Sequence, residues 1–416
     1  MTNQSKHTNV AVVGPGNGGC GGTFNSSGII DTAGVYLDEF SIDPADAWLG
    51  IWRAFDALPA NGGEVHIYGG PSDFDIKTSI PVTQNNVQVY FHGAQLVTSV
   101  TALSQFFEVT GRNVQFFYPR CQNLILEQDE FAFIRFNNSG GAQQAAGGAV
   151  FYGIFDVQQN DAATLMPSGI RVVGHATEKE ARKYNFIGND FICRTGTTQL
   201  QSRNGAAFPF GWVGIRAYWA IGMNISHNHF RGHITSGASD PAGNCGGGVL
   251  VESCRWVNIT NNTFEHYDTA DVGGDRNPPI LLRNRRGEGG HINISGNLSE
   301  NVGSSALIEG YGLRFAQIYG NNFGRNLTGA GLITGMDTVE GGSTPVQPCE
   351  TVVVTANNFH NPSLQVPCIQ IKECESGLVA NNAGTLLHVG VPFIEVDEAS
   401  AGVVVHPSNI TSFQNV

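Results

Sequence analysis

The sequence repeats a short phrase, and a repeat of this kind constrains the architecture more than any other feature. The phrase is an apolar residue, two variable residues, Asn, one variable residue and then usually Phe. It stands at 186–191 (FIGNDF), 225–230 (ISHNHF), 259–264 (ITNNTF), 318–323 (IYGNNF) and 354–359 (VTANNF), with weaker copies around Asn297 and Asn382. A second phrase precedes each copy. It is a short strand whose first and third residues are mostly apolar, usually introduced by a small residue or Pro. Its copies begin at Ile170, Ile215, Val249, Ile280, Ala306, Leu332, Ile369 and Ile394.

Successive residues of a strand point to opposite faces. One such strand per coil, stacked in parallel, gives a long sheet with an apolar inner face. The Asn is expected at a sharp turn, in the left-handed backbone it tolerates, with its amide bonded to the Asn one coil away. A unit that cannot bury its face alone must stack on its neighbours. The chain is therefore expected to be all-β, a right-handed parallel β-helix. Ile215, Val249, Val251, Ile280, Leu282, Ile308, Ile369 and Ile371 should share one buried stack, and Phe191, Phe230, Phe264, Phe323 and Phe359 a second. The glycosylation triplets at Asn224 and Asn258 are by-products of the repeat.

The rest of the chain is read around this solenoid. Residues 1–35 are rich in Gly, Asn and Ser and read as an extended arm with little core of its own, suited to attachment. Residues 36–63 hold the capping helix and first turn. Within 45–58, Trp48, Ile51, Trp52, Phe55 and Leu58 share one helical face. Asp43 and Pro44 are expected to open that helix, with Asp43 as its N-cap. Residues 64–416 form the β-helix, its first strand beginning at Glu64, with irregular coils to 160 and regular ones from 165. Longer loops interrupt at 195–211, 233–247, 266–278 and 337–350, where function tends to gather. The polar opening is expected to carry no signal segment, and 402–416 is expected to hold at most one more strand and no C-terminal trimerisation domain.

Only 14% of the residues are charged, the net charge is −13, and Phe (25) far outnumbers Met (4). That balance argues against a nucleic acid or an anionic membrane as partner, and no apolar run approaches a membrane span. A local basic cluster would still admit an acidic glycan. The eight cysteines contain no CxxC pair, so buried free thiols are expected, with no metal centre and no cofactor.

The stretch 50–96, GIWRAFDALPANGGEVHIYGG through IKTSIPVTQNNVQVYFHGAQL, resembles the opening of pectate-lyase-like β-helix proteins: a capping helix, LPA-x-GG-x-V, an apolar strand, then NV. With the coil repeat, the resemblance extends over about 45–410. Phage tailspikes and capsule depolymerases share this layout, as do secreted pectate lyases, polygalacturonases and alginate epimerases. No catalytic signature of the lyases or polygalacturonases is present, so no catalytic residue is carried over. The Gly-rich arm and the missing signal favour the phage layout. The resemblance implies a virion protein that binds and cleaves a host surface polysaccharide, held to a phage tail or baseplate protein through its arm and acting outside the cell. The alternatives are a non-enzymatic virion protein or adhesin, and a secreted enzyme. In such tailspikes three chains stand about a threefold axis.

The chemistry is sought on the outward side of the strand phrase. Position four reads Val173, Tyr218, Glu252, Arg283, Glu309, Gly335, Lys372 and Asp397. Glu252 and Glu309, two coils apart with Arg283 between, are the expected catalytic group, in the spacing of an inverting glycosidase. A lyase with Arg283 as base is the variant reading, and a structural Glu–Arg–Glu ladder the plain one. Tyr218, Trp212, Trp219, Asp268, Asp271 and Asp275 are expected to line the cleft, with His266. His227, His229 and His233 read as turn residues. Position two reads Arg171, Arg216, Leu250, Leu281, Leu307, Ile333, Gln370 and Glu395. Its four apolar members predict a hydrophobic stripe that packs between subunits of a homotrimer.

Overall fold

The computed structural model describes residues 10–15, 29–30, 39–42, 47–70, 72–100, 102–123, 131–139, 146–159, 168–174, 182–195, 213–232, 248–265, 278–284, 290–300, 306–324, 330–335, 348–361, 367–386 and 391–413. Each coil contributes one strand to each of three sheets of 15, 12 and 11 strands. Along each sheet every third strand of the chain pairs with the next, in parallel register from the Glu64 coil onward. The result is a right-handed parallel β-helix. The first sheet holds strands such as Ile221–Ser226, the second His229–Gly232 and the third Val249–Glu252.

The interior is built as the repeat dictates. Ile215, Val249, Val251, Ile280, Leu282, Ile308, Ile369 and Ile371 are all buried, as are the five phenylalanines of the second column. Phe155, Phe191, Phe230 and Phe264 lie ring on ring, with centroids 5.2, 4.9 and 4.9 Å apart. Ser299 takes the next place and interrupts the column before Phe323 and Phe359 resume it.

The small residue before each third-sheet strand has a steric cause. A Cβ on Gly169, Gly214, Gly248 or Gly331 would stand 2.1–2.6 Å from a ring atom of the phenylalanine column. Leu307 holds the position of Gly331 in the neighbouring coil, next to the stretch where Ser299 leaves room, and it is buried in the core.

The asparagines form one continuous ladder. Asn189, Asn228, Asn262, Asn297, Asn321, Asn357 and Asn382 each pass an amide N–H to the next Oδ1, ending on Asn409, over 2.8–3.0 Å. The copies at Asn297 and Asn382 are full members, and Asn409 adds one more. One expectation is corrected. The ladder Asn is not the left-handed residue; the residue before it is, at Gly188, His227, Asn261, Gly296, Gly320, Ala356 and Asn381. The turn thus bends one residue early, which leaves the Asn side chain pointing inward and dry.

The helix spans Trp48–Asp56 and buries Ile51, Ala54 and Phe55 over the first coils, with Phe55 edge-on to Phe107. Its N-cap is Ala47, without a side-chain bond; Asp43 and Pro44, expected to open the helix, lie outside the described residues. The first strand is not at Glu64. Val10–Pro15, within the expected arm, pairs in parallel with Gly63–Tyr68 and extends the first sheet. Cys121, Cys254, Cys349, Cys368 and Cys374 are buried free thiols. Burial pushes the Cys254 and Cys368 thiols up to about 12 and Cys349 to about 11, which keeps them protonated and inert.

Candidate functional site

The outer face of the third sheet carries the charged residues singled out in the sequence, in a register that differs by two residues in one coil. Tyr218 pairs with Glu252, Glu252 with Arg283, and Arg283 with Tyr311, not with Glu309. Glu309 stands in the neighbouring column, opposite Leu281 and Ile333. The cause is the pair Leu307 and Ile308. Both join the core, whereas strict alternation from Ala306 assigns Leu307 to the outside.

The same shift removes the hydrophobic stripe. Leu307 is in the core, Glu309 replaces it outside, and Leu250 and Leu281 are 0% and 1% exposed in the single chain. These two leucines pack with Val213 and Tyr311 in a small cluster apart from the main core. The expectation of a threefold assembly therefore loses the exposed leucine column it rested on.

Glu252 and Arg283 are themselves nearly buried, at 3% and 6% exposure, while Glu309 and Tyr311 are half-buried. The Tyr311 hydroxyl donates to Glu309 Oε2 over 2.9 Å. Below Glu252 the Arg216 guanidinium lies over the Tyr218 ring, 4.7 Å from its centroid, and Arg171 lies 5.7 Å from it. Trp219 follows in left-handed backbone, its ring 6.4 Å from that of Tyr218. Sequence reasoning missed Arg171, Arg216 and Tyr311 as site residues. The strand pattern presents Arg171 and Arg216 only as polar ends of a stripe; the signal that finds them is pairing across coils rather than the pattern within one strand.

Trp212, Asp268, Asp271, Asp275, His233 and His266 lie outside the described residues. In the chain, 196–212 and 266–277 join second-sheet strands to third-sheet strands, Asp190–Thr195 to Val213–Tyr218 and Thr263–Glu265 to Ile280–Arg283.

A second polar cluster stands on the outer face of the second sheet. His229 is not a turn residue; it lies in the strand His229–Gly232. Its Nε2 is 3.0 Å from Glu265 Oε2 and its Nδ1 3.8 Å from Asp190 Oδ1. Arg231 donates to both oxygens of Asp190. That hydrogen bond, and the charges of Asp190, Glu265 and Asp156, hold the Arg231 pKa above its ordinary value. Asp190 and Glu265 each already face a basic partner, so the cluster clamps coils together, at a worth of about 0–1 kcal/mol per exposed pair.

No family model matches the sequence, and no curated protein matches it. Solved structures do. The chain is similar to the Dettilon tailspike protein at 14% identity and a TM-score of 0.47, covering 89% of this chain and 66% of that one. It is similar to the tailspike of E. coli bacteriophage HK620 in complex with a pentasaccharide, at 12% identity and a TM-score of 0.46, over 95% of this chain and 71% of that one. It is also similar to endo-xylogalacturonan hydrolase from Aspergillus tubingensis, at 11% identity and a TM-score of 0.42, over 97% and 95%. The chain has the right-handed parallel β-helix fold. This β-helix spans just under two thirds of the Dettilon protein's length, at 66%. What the β-helix supplies at the site is rigidity, because every charged residue named on the third sheet is fixed by strands on both sides.

Proposed function

We propose that the chain binds and cleaves a host surface polysaccharide as part of a phage tailspike, with its N-terminal segment as the attachment to the particle. The observation that carries this reading is the pair Glu252 and Glu309 on one sheet face. They stand two coils apart with Arg283 in the coil between the former and Tyr311. Two coils separate their backbones by about 10 Å along the axis, and the offset of two residues adds roughly 7 Å across it. Side chains leaning toward each other bring the carboxyls into the ~6.5–9.5 Å range of inverting hydrolysis. The base must reach a water molecule, so the more exposed Glu309 is assigned that role and Glu252 the acid. Tyr218 and Trp219 are assigned to the sugar.

Glu252→Gln and Glu309→Gln test the assignment. Each should lower the release of new reducing ends from host polysaccharide by about 100-fold or more, with thermal unfolding unchanged. Full activity in both variants would remove the pair and move the assignment to Asp268, Asp271 and Asp275. A second reading, a non-cleaving adhesin, draws on the near-complete burial of Glu252. It predicts polysaccharide retained by the wild-type protein with no product of either hydrolysis or elimination.

A further inference from the structure

Trp256 is the second residue of the first-sheet strand Arg255–Thr260, and two of its properties do not suit a structural role. Its side chain is 56% exposed, and its backbone is left-handed, at φ +56°. A bulky residue in that conformation costs free energy, and burial in the core does not offset the cost. The coil before it makes the same bend with glycine. Gly222 stands opposite Trp256, between the pairs Ile221–Arg255 and Met223–Val257, at φ +73°. The coil after it places His291 opposite, also left-handed, with its ring parallel to the indole at 4.0 Å and 7°. One face of the indole is thus covered, and the other looks across the Gly222 coil, which offers no side chain. Among the described residues, a Cβ built on Gly222 would meet only backbone atoms of Lys183, at 3.4 and 3.8 Å. One layer is left open, about 4.8 Å from Trp256 on one side and from Lys183 on the other. Amides stand beside it. Asn224 and Asn258 pair in register on the outer face, the first half-buried and the second exposed. Asn293 donates to Asn258 Oδ1 over 3.4 Å.

We infer that this notch is a glycan subsite, in which one pyranose ring stacks on the free face of Trp256 and fills the layer that Gly222 leaves open. The C–H groups on a pyranose face carry partial positive charge and pack on the negative face of an indole. The hydroxyls around the ring meet the amides of Asn224 and Asn258, which both donate and accept. His291 backs the indole and holds its plane across the axis. The strain kept at Trp256 marks a binding position, since glycine would serve the bend at lower cost. Trp256 follows Glu252 by four residues, round the corner from the third sheet to the first. The chain between them spans at most about 14 Å, so a glycan of a few sugars lying across that corner reaches both. The inference rests on the reading that the ligand is a glycan, and not on cleavage by Glu252 and Glu309.

The test uses the full chain on immobilised lipopolysaccharide O-chains and capsular polysaccharides, with thermal unfolding as the folding control. Trp256→Ala should weaken binding by about tenfold or more. Trp256→Phe should weaken it by no more than about threefold, because a ring remains. Asn224→Ala should cost about threefold. Gly222→Trp leaves Trp256 in place and fills the open layer, so it should weaken binding as much as Trp256→Ala does. Binding undiminished in folded Trp256→Ala and Gly222→Trp would overturn the inference and leave the glycan reading standing. A wild-type oligomer that Trp256→Ala dissociates in light scattering, with polysaccharide binding unchanged, would also overturn it and assign the face to contact between copies of the chain. Binding sensitive to both variants, with no product of hydrolysis or elimination, would confirm the subsite while removing the hydrolase assignment. No polysaccharide bound by the wild-type protein would remove the glycan reading and the subsite with it.

Discussion

At the scale of the residue, the glycines ahead of the third-sheet strands show how closely the phenylalanine column is packed. Gly214 faces the Phe230 ring, and a Cβ there would lie 2.5 Å from Cε1. Phe230 cannot retreat, since Phe191 and Phe264 lie on its two faces at 4.9 Å. Gly214→Ala should therefore destabilise the protein by about 1–3 kcal/mol, the ordinary range for overpacking. Urea unfolding measures it, and a change within error would show that the ring has room to move. Leu307 makes the same point from the other side. It takes the position equivalent to Gly331 and is buried, and its neighbour Ile308 then stands opposite Ile280. A leucine in the place that other coils give to glycine is what moves Glu309 from the expected column to its neighbour.

At the scale of the element, the turn from the first sheet to the second is held by asparagine rather than by apolar contact. Asn262 accepts from the Asn228 backbone N–H at 2.9 Å and from its amide at 3.0 Å. It donates to the Ile225 carbonyl and to Asn297. All of these groups are buried, so removing the side chain strands several of them at once. Asn262→Ala should cost about 3 kcal/mol or more in urea unfolding. Asn261→Gly, at the exposed left-handed position one residue earlier, should be neutral or mildly stabilising, because φ there is +56°. Equal losses in the two variants would mean that backbone geometry, not the ladder, holds the turn.

At the scale of the whole molecule, stability in a solenoid is a sum of coils and their interfaces, and the end coils have one neighbour fewer. The two ends here differ. The N-terminal coils lie under the helix Trp48–Asp56, with Ile51 and Phe55 fully buried. In the last described coil Val404 and Ile410 are 59% and 67% exposed. Amide exchange should therefore be slowest in the central coils, remain slow beneath the helix, and be fastest in Val403–Val405 and Ile410–Phe413. Hydrogen exchange read by mass spectrometry decides this, and protection as strong at Ile410–Phe413 as at Ile259 would contradict it.

Coil, ladder and core are local and periodic, so the sequence by itself determined them. An apolar residue every second position, an Asn at a fixed place and a Phe two residues on suffice to name the β-helix and both buried columns, and the helical spacing of Trp48, Ile51, Trp52 and Phe55 names the capping helix. The residue that takes left-handed φ is displaced by one from the expected place, since Asn and its predecessor are both turn formers and only the side-chain ladder tells them apart. Tyr218, Glu252 and Arg283 align as the strand pattern predicts, but the place of Glu309 was decided by tertiary structure alone. Glu309 reads as an outward partner of Arg283 within its own strand, and the pairing of Ile308 with Ile280 places it beside Leu281 instead. Arg135, Arg171 and Arg216 are far apart in the chain and meet only because three coils are stacked in register. A strand pattern fixes which way a side chain points. Only the register between coils, set by how the core fills, fixes what it points beside.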